Sequence, residues 1–462
     1  MHKLIQYIVQ RSQSPLFCRL VVFGFAILVL VWSDCCVTPE LSQQTIVAAD
    51  NPASPVKATI YAPDPSHLWN RLHAALFIRT ASDGKIYGED DIDPILWAPS
   101  KFLLAGEHHQ RVLKLLDEFL DKDGNTLIQE PLKRAILQHD LWAIFDWTAN
   151  PDSVFQDEPL LPQRRALQLR LARMIYELAL SSDQIRKLPD NYAMAIAAQA
   201  FSSKPNLDQP GAPYLPTDLF DPHGSWVLLG EHMQSAAPTH LRFVNGRSAF
   251  FVFMQLPEGR QATNDYLKLL TSFPNPVLPH SASDFARLNP DLPQFPVGTH
   301  VALARTMLLI DKQGNIVPTK LLEAVQFRVF RDIAKAQESI QEFRLRRHEL
   351  FSATAGGLHA VGPTDAEFRL FVAHPHDVFE NEPADRKPEL IMKTCVSCHR
   401  TSSQPGILSV HAFTRSFSYD HRPAPLLREY DRGQQEGAAI SWKRNQYSWG
   451  LLHGLNAVKW DK

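Results

Sequence analysis

Two thiols and an imidazole stand at a spacing that can do chemistry. The stretch Lys393-Thr394-Cys395-Val396-Ser397-Cys398-His399-Arg400 contains Cys-x-x-Cys-His. On a helical turn, positions i, i+3 and i+4 share one face, so Cys395, Cys398 and His399 converge. The two thiols can each form a thioether with a haem vinyl group, while His399 comes to lie beneath the iron as its proximal ligand. Other chemistries use the same residues. Cys395 and Cys398 could form a structural disulfide or a redox dithiol, although a dithiol motif is expected near a βαβ pattern and none is evident. They could hold zinc, since twelve residues separate Cys398 from His411, but His421 is then too far along for a zinc finger. Or both could simply be buried.

The elements that must position this motif begin just before it. Pro388 suits a first helical turn, and Glu389 complements the positive end of a helix. Leu390, Ile391 and Met392 supply apolar surface, with Ile391 on the same face as Cys395. The octapeptide resembles the haem-attachment site of bacterial c-type cytochromes. The resemblance is confined to the motif region. It implies one covalent haem c held by Cys395 and Cys398, iron bound by His399, and electron transfer to a redox partner protein.

Small cytochromes c commonly take their sixth ligand from a methionine after the motif. No methionine follows Cys398 here, and Met392 is on the proximal side. The candidates for the far side of the iron are His411, His421, His453, and His374 or His376 from the preceding loop; an open site is the alternative. His411 comes first, because a loop of twelve residues can fold back over the haem. A histidine ligand lowers the reduction potential relative to methionine.

The reading requires export, and the N-terminus is consistent with it. Lys3, Arg11 and Arg19 precede a thirteen-residue apolar run, Leu20 to Trp32. That is the layout of a secretory signal, and it is short for a membrane span. The long basic segment leaves an uncleaved anchor, and so membrane association, as the other outcome. Val47-Ala48-Ala49 offers small residues for cleavage. Asp34 before Cys35, and a cysteine before Cys36, do not suit a lipidation site. Of five cysteines, Cys18, Cys35 and Cys36 fall in this segment, so only the motif pair remains after it. A mature exported chain of that kind has little disulfide framework. The expected location is the periplasm or the outer face of the inner membrane.

Composition excludes rather than identifies. A net charge of -2 gives no basis for a nucleic-acid partner. Hydrophobic content of 45% and charged content of 21% are those of an ordinary globular protein.

Periodicity divides the chain. Residues 1–49 form the signal or anchor, and a polar linker follows. Asp64-Pro65 signals a helix start, with Leu68, Leu72 and Leu76 recurring behind it. His67 and His73 flank that stripe as surface or packing residues. Amphipathic helices are expected over Glu107 to Leu120, Pro131 to Trp147 and Gln163 to Leu180; the second is apolar over a wide arc, which implies burial. Residues 203 to 223 read as a long connection. The period then shortens. Leu241 to Val244 and Ala249 to Phe253 flank Asn245-Gly246, a hairpin signal. His300 to Ile310 and Asn315 to Pro318 flank a second turn, Ala324 to Phe330 alternates as a half-buried strand, and Phe368 to Val372 is a further strand. A last helix is expected over Tyr447 to Val458. Helices first and strands after argue for an α+β fold. It comprises a mainly helical domain at 50–223, a β-rich domain with hairpins at 224–373, and a small helical haem-binding segment at 374–462.

Nothing else in the chain carries a catalytic signature. Glu107-His108-His109 is not a zinc-protease motif, and there is no phosphate loop, serine elbow or dinucleotide fingerprint. Asp121 to Asn125 fits an EF-hand in neither register and reads as a helix-ending turn. Glu89 to Asp93 reads as a solvated acidic turn. The expected function is therefore an exported single-haem electron carrier. The alternatives are a peroxidase-like enzyme or sensor with an open haem site, and a non-haem scaffold with a Cys395–Cys398 disulfide.

Overall fold

Helices are concentrated in the first part of the chain, and a large antiparallel sheet follows them. The computed structural model describes residues 59–81, 84–92, 101–149, 160–206, 209, 212–230, 235–274, 277–278, 287–332, 337–367, 379, 389–392 and 428–458. The helices are α1 (Leu68–Phe77), α2 (Gly106–Asp121), α3 (Pro131–Ala149), α4 (Leu161–Glu177), α5 (Ser182–Arg186), α6 (Asn191–Ala197), α7 (Pro238–Phe243), α8 (Arg260–Ser272), α9 (Arg347–Phe351), α10 (Arg432–Arg444) and α11 (Tyr447–Asn456). The short strand pairs are β1 (Arg79–Thr80) with β2 (Ile86–Tyr87), and β5 (Val277–Leu278) with β6 (Arg287–Leu288). The main sheet takes β3 (Val227–Gly230), β4 (Ser248–Gln255), β7 (His300–Ile310), β8 (Ile316–Asp332), β9 (Gln337–Leu345) and β10 (Leu358–Ala360). A third short pair is β11 (Ala366–Glu367) with β12 (Glu389–Leu390), and β13 (Arg428–Glu429) returns to the main sheet. The fold is α+β.

The sheet order is β10-β9-β8-β7-β4-β3-β13, every neighbouring pair antiparallel. β4 is buried along nearly its whole length, which explains its uninterrupted apolar sequence. β7 and β8 form the expected hairpin, with Ile310 opposite Ile316. Asp311 closes its turn by accepting from the amides of Gln313 (3.0 Å) and Asn315 (2.8 Å). Gly314 supplies the positive φ, at 80°. The two strands expected at 315–318 and 324–330 are one strand, carried past an irregularity in the pairing between Thr306 and Leu308. There Asn191 of α6 stands in for a strand neighbour. Its side chain accepts from the Leu322 amide (2.7 Å) and donates to the Leu322 carbonyl (3.0 Å).

The expected hairpin at Asn245-Gly246 is instead a helix stop. Pro238 opens α7, and the chain ends it by taking φ of 51° at Asn245 and 68° at Gly246. The Gly246 amide then reaches back to the Leu241 carbonyl at 2.9 Å. Positive φ at both residues suits a tight hairpin and a helix terminus alike, and Pro at the first helical position decided between them.

The helical layer matches its expectation more closely. Leu68, Leu72 and Leu76 are buried, but α1 begins at Leu68 and not at Pro65. Asp64 caps the preceding turn through the Ser66 amide (2.8 Å), and His67 accepts from the Trp69 amide (3.3 Å). Asp123 at φ 50° ends α2, as the turn reading required. One continuous apolar core runs from Tyr61 to Leu455 and draws on α1 to α6, the sheet, α10 and α11. Each fully buried Leu, Ile or Phe in it contributes roughly 1.5–3 kcal/mol. These residues lie in one compact unit, Val56–Lys462. Among the described residues, no helix is long and apolar enough to cross a membrane.

Candidate haem-attachment segment and its surroundings

Cys395, Cys398 and His399 lie outside the described residues, as do His374, His376, His411 and His421. The flanks of the segment are described. Upstream, β12 pairs with β11, Ala366 opposite Leu390 and Glu367 opposite Glu389. The residues after Pro388 are therefore extended, and helical backbone begins at Ile391. Cross-strand pairing has overridden the helix start that Pro388 and Glu389 suggested. Ile391 is 3% exposed, and its amide donates to the Asp365 carbonyl at 3.0 Å. Asp365 is in turn tied to β10, because its Oδ2 lies 3.6 Å from Nε2 of His359. The Nδ1 of that same ring lies 3.2 Å from Oε1 of Glu349.

Downstream, β13 pairs with β3, Arg428 opposite Gly230, and the Tyr430 amide donates to the Leu228 carbonyl at 2.9 Å. Glu429 accepts from Arg260 and, at 2.9 Å, from Asn264. Asp431 then caps α10, with its side chain on the Gln434 amide (2.9 Å) and the Gln434 side chain returning to the Asp431 amide. The segment thus leaves the body beside β10 and rejoins it beside β3, near opposite edges of the seven-stranded sheet. Six strand spacings correspond to roughly 29 Å.

Of the sixth-ligand candidates, His453 alone is described. It lies on α11, where its Nδ1 is 2.9 Å from the Tyr176 hydroxyl and its ring meets Trp449 edge-on at 4.4 Å. Burial, reinforced by Arg444, lowers its proton affinity. It packs beside Gly314 at the tip of the β7–β8 hairpin. The upstream flank is tied to His359, which pairs through Arg344 to Ala324. Gly314 to Ala324 is about 30 Å of strand. The structure therefore sets His453 beside the Gly314 turn at the start of β8, while the upstream flank is tied, through β10 and β9, across from the middle of that strand.

The titratable groups that the sequence reading missed are on α3. Asp140 pairs with Arg347 at 2.7 Å, both without solvent exposure. Arg347 also donates to the Tyr61 hydroxyl (2.8 Å) and the Asp91 carbonyl (2.8 Å). Burial opposes the Arg347 charge, but Asp140, Tyr61 and Asp90 together outweigh it and raise the guanidinium pKa. One turn of α3 places His139 against Glu323 (3.0 Å), which also meets Arg305 (3.3 Å). Further along, Asp146 takes Arg247 (3.0 Å) and Lys443 (2.6 Å) on one oxygen. The available signal was polar residues inside an otherwise apolar helix. These groups are closed off from solvent, so their chemistry is cross-linking of elements and not handling of substrate. Beside them, His73 is buried with its Nε2 on the Glu89 carbonyl at 2.8 Å; burial, then the Arg347 charge, hold it neutral.

A cation–aromatic stack joins Arg79 to Phe379, which stands upstream of Cys395 in the sequence. The Arg79 guanidinium lies 4.1 Å from the Phe102 ring and 4.3 Å from that of Phe379, and Phe102 stacks on His108 at 4.0 Å. Among the described residues, no group of three or more His, Cys, Asp or Glu is placed to hold a metal ion. No family model, curated protein or solved structure matches this chain.

Proposed function

We propose that this chain is an exported, single-haem c-type cytochrome-like protein that transfers electrons to a partner protein. The donor set carries the reading: two thiols and an imidazole at Cys395, Cys398 and His399, with no other cysteine after Cys36. That set fits haem c, whose vinyl groups take the thiols and whose iron takes the imidazole. Bound there, the haem supplies a one-electron couple. The chain's own residues would set its environment: Ile391 buried four positions before Cys395, and the flanks fixed at β12 and β13. His411 is the first candidate for the far axial position.

The choice between carrier and enzyme is testable on the holoprotein. A carrier with a saturated iron binds carbon monoxide slowly or not at all when reduced, and shows negligible turnover with peroxide. Rapid carbon monoxide binding together with peroxide turnover would assign the peroxidase-like reading instead.

A further inference from the structure

We propose that Tyr176 and His453 form a proton-coupled redox pair at the outer end of an aromatic chain that begins at Trp142. The Tyr176 hydroxyl lies 2.9 Å from Nδ1 of His453, and both side chains are half-buried. The His453 ring meets Trp449 edge-on at 4.4 Å, and Trp449 stands 5.9 Å from the fully buried Trp142. Four aromatic groups thus run in contact from the core to the hairpin tip. Gly314 permits the outermost contact. A Cβ there would lie 3.0 Å from Cε1 of His453 and 3.4 Å from the Tyr176 hydroxyl oxygen.

The charges give the chain a direction. The Lys443 ammonium lies 5.1 Å from the centre of the Trp142 ring. Lys443 and Arg247 share the one carboxylate of Asp146, so the cluster keeps a net positive charge, which raises the energy of positive charge on Trp142. At the other end, the neutral His453 keeps a lone pair for a proton. Burial, helped by Asp311, pushes the Tyr176 hydroxyl up to about 12, so the phenol keeps its proton until an electron leaves. Loss of one electron makes the phenol strongly acidic, and the proton then crosses to Nδ1. The step balances as Tyr–OH plus His giving the neutral tyrosyl radical, protonated His453 and one electron. The electron goes to a strong one-electron oxidant of the reactive-oxygen class. An oxidising equivalent on any member of the row is thereby drawn away from Trp142 and discharged at Tyr176, near solvent. This site does not depend on the haem reading.

The test is flash oxidation of the full chain by a ruthenium tris-bipyridine/persulfate couple, read by electron paramagnetic resonance. The probe oxidant makes the result independent of haem content. The wild type is expected to give a tyrosyl signal, most of which is lost in Tyr176→Phe and retained in Tyr447→Phe, whose target is 68% exposed. His453→Gln should keep the phenol but slow radical formation by about a hundredfold, the lower end of general-base effects. An undiminished signal in Tyr176→Phe, or unchanged kinetics in His453→Gln, would overturn the proposal.

Discussion

The α3 layer and the flanks of the Cys395–His399 segment are held by different kinds of contact. α3 carries its polar groups inward. Asp140, His139 and Asp146 each meet a partner from a distant part of the chain, and none touches solvent. The segment carrying the motif is tied to the body through its flanks, by a two-residue strand on one side and another on the other. Stability and haem chemistry should therefore be separable. On the proposed haem reading, substitutions on α3 are expected to act on the whole fold, and those in the motif on haem attachment.

The largest effect is expected at Asp140→Ala. It leaves Arg347 buried without its carboxylate, which costs about 3–5 kcal/mol. Chemical denaturation measures it, and a loss below 1 kcal/mol on the order-of-magnitude scale of surface pairs would show that the pair is not a cross-link. Ile391→Ala comes next. It empties a buried position at the upstream flank and should cost about 2 kcal/mol, the lower end for such a truncation. If the regions are separable, proteolysis near Ile391 rises far more than global unfolding does. Equal changes in both would join the two regions into one cooperative unit.

The pH dependence sharpens the same contrast. His108 falls to about 4 through burial, then the nearby Arg111 charge, from an ordinary value of 6.5. The unfolded chain therefore binds that proton at a pH where the folded chain does not. Stability contributed by neutral His108 is present above 6.5 and is lost as pH falls from there toward 4. His73 adds to the loss in the same direction, since its own value is also depressed. His108→Gln should flatten the acid limb of a stability–pH curve; an unchanged slope would remove His108 from the account. The smallest effect is at the downstream flank. Asp431→Ala removes the cap of α10 and should lower stability by about 1 kcal/mol, with haem content unchanged.

The legibility of this chain follows the range of the interactions. α2, α3, α4 and α11 were readable because long apolar periodicity is a local property. The β7–β8 hairpin was readable because its turn and both strands are adjacent in sequence. α5 and α6 are too short for a period to show, and β9, with Glu338, Gln341 and Glu342, lacks an apolar pattern. Asn245-Gly246 misled because positive φ serves two kinds of turn. The ion pairs of α3 were hidden for a further reason: nothing near Asp140 in the sequence announces Arg347. At the candidate site, the motif was legible as chemistry, while the extended backbone at Glu389–Leu390 depended on a partner strand at Ala366–Glu367.

On the proposed reading, the motif holds a covalent haem while the body folds by its own contacts. Intact-mass spectrometry of the exported protein, produced alongside a haem-attachment system and paired with a haem absorbance spectrum, tests it most directly. The predicted result is the polypeptide plus one haem in the wild type. Cys395→Ser/Cys398→Ser should lose that mass and absorbance with its circular dichroism unchanged. A wild-type protein with the bare polypeptide mass and no haem absorbance would contradict the claim.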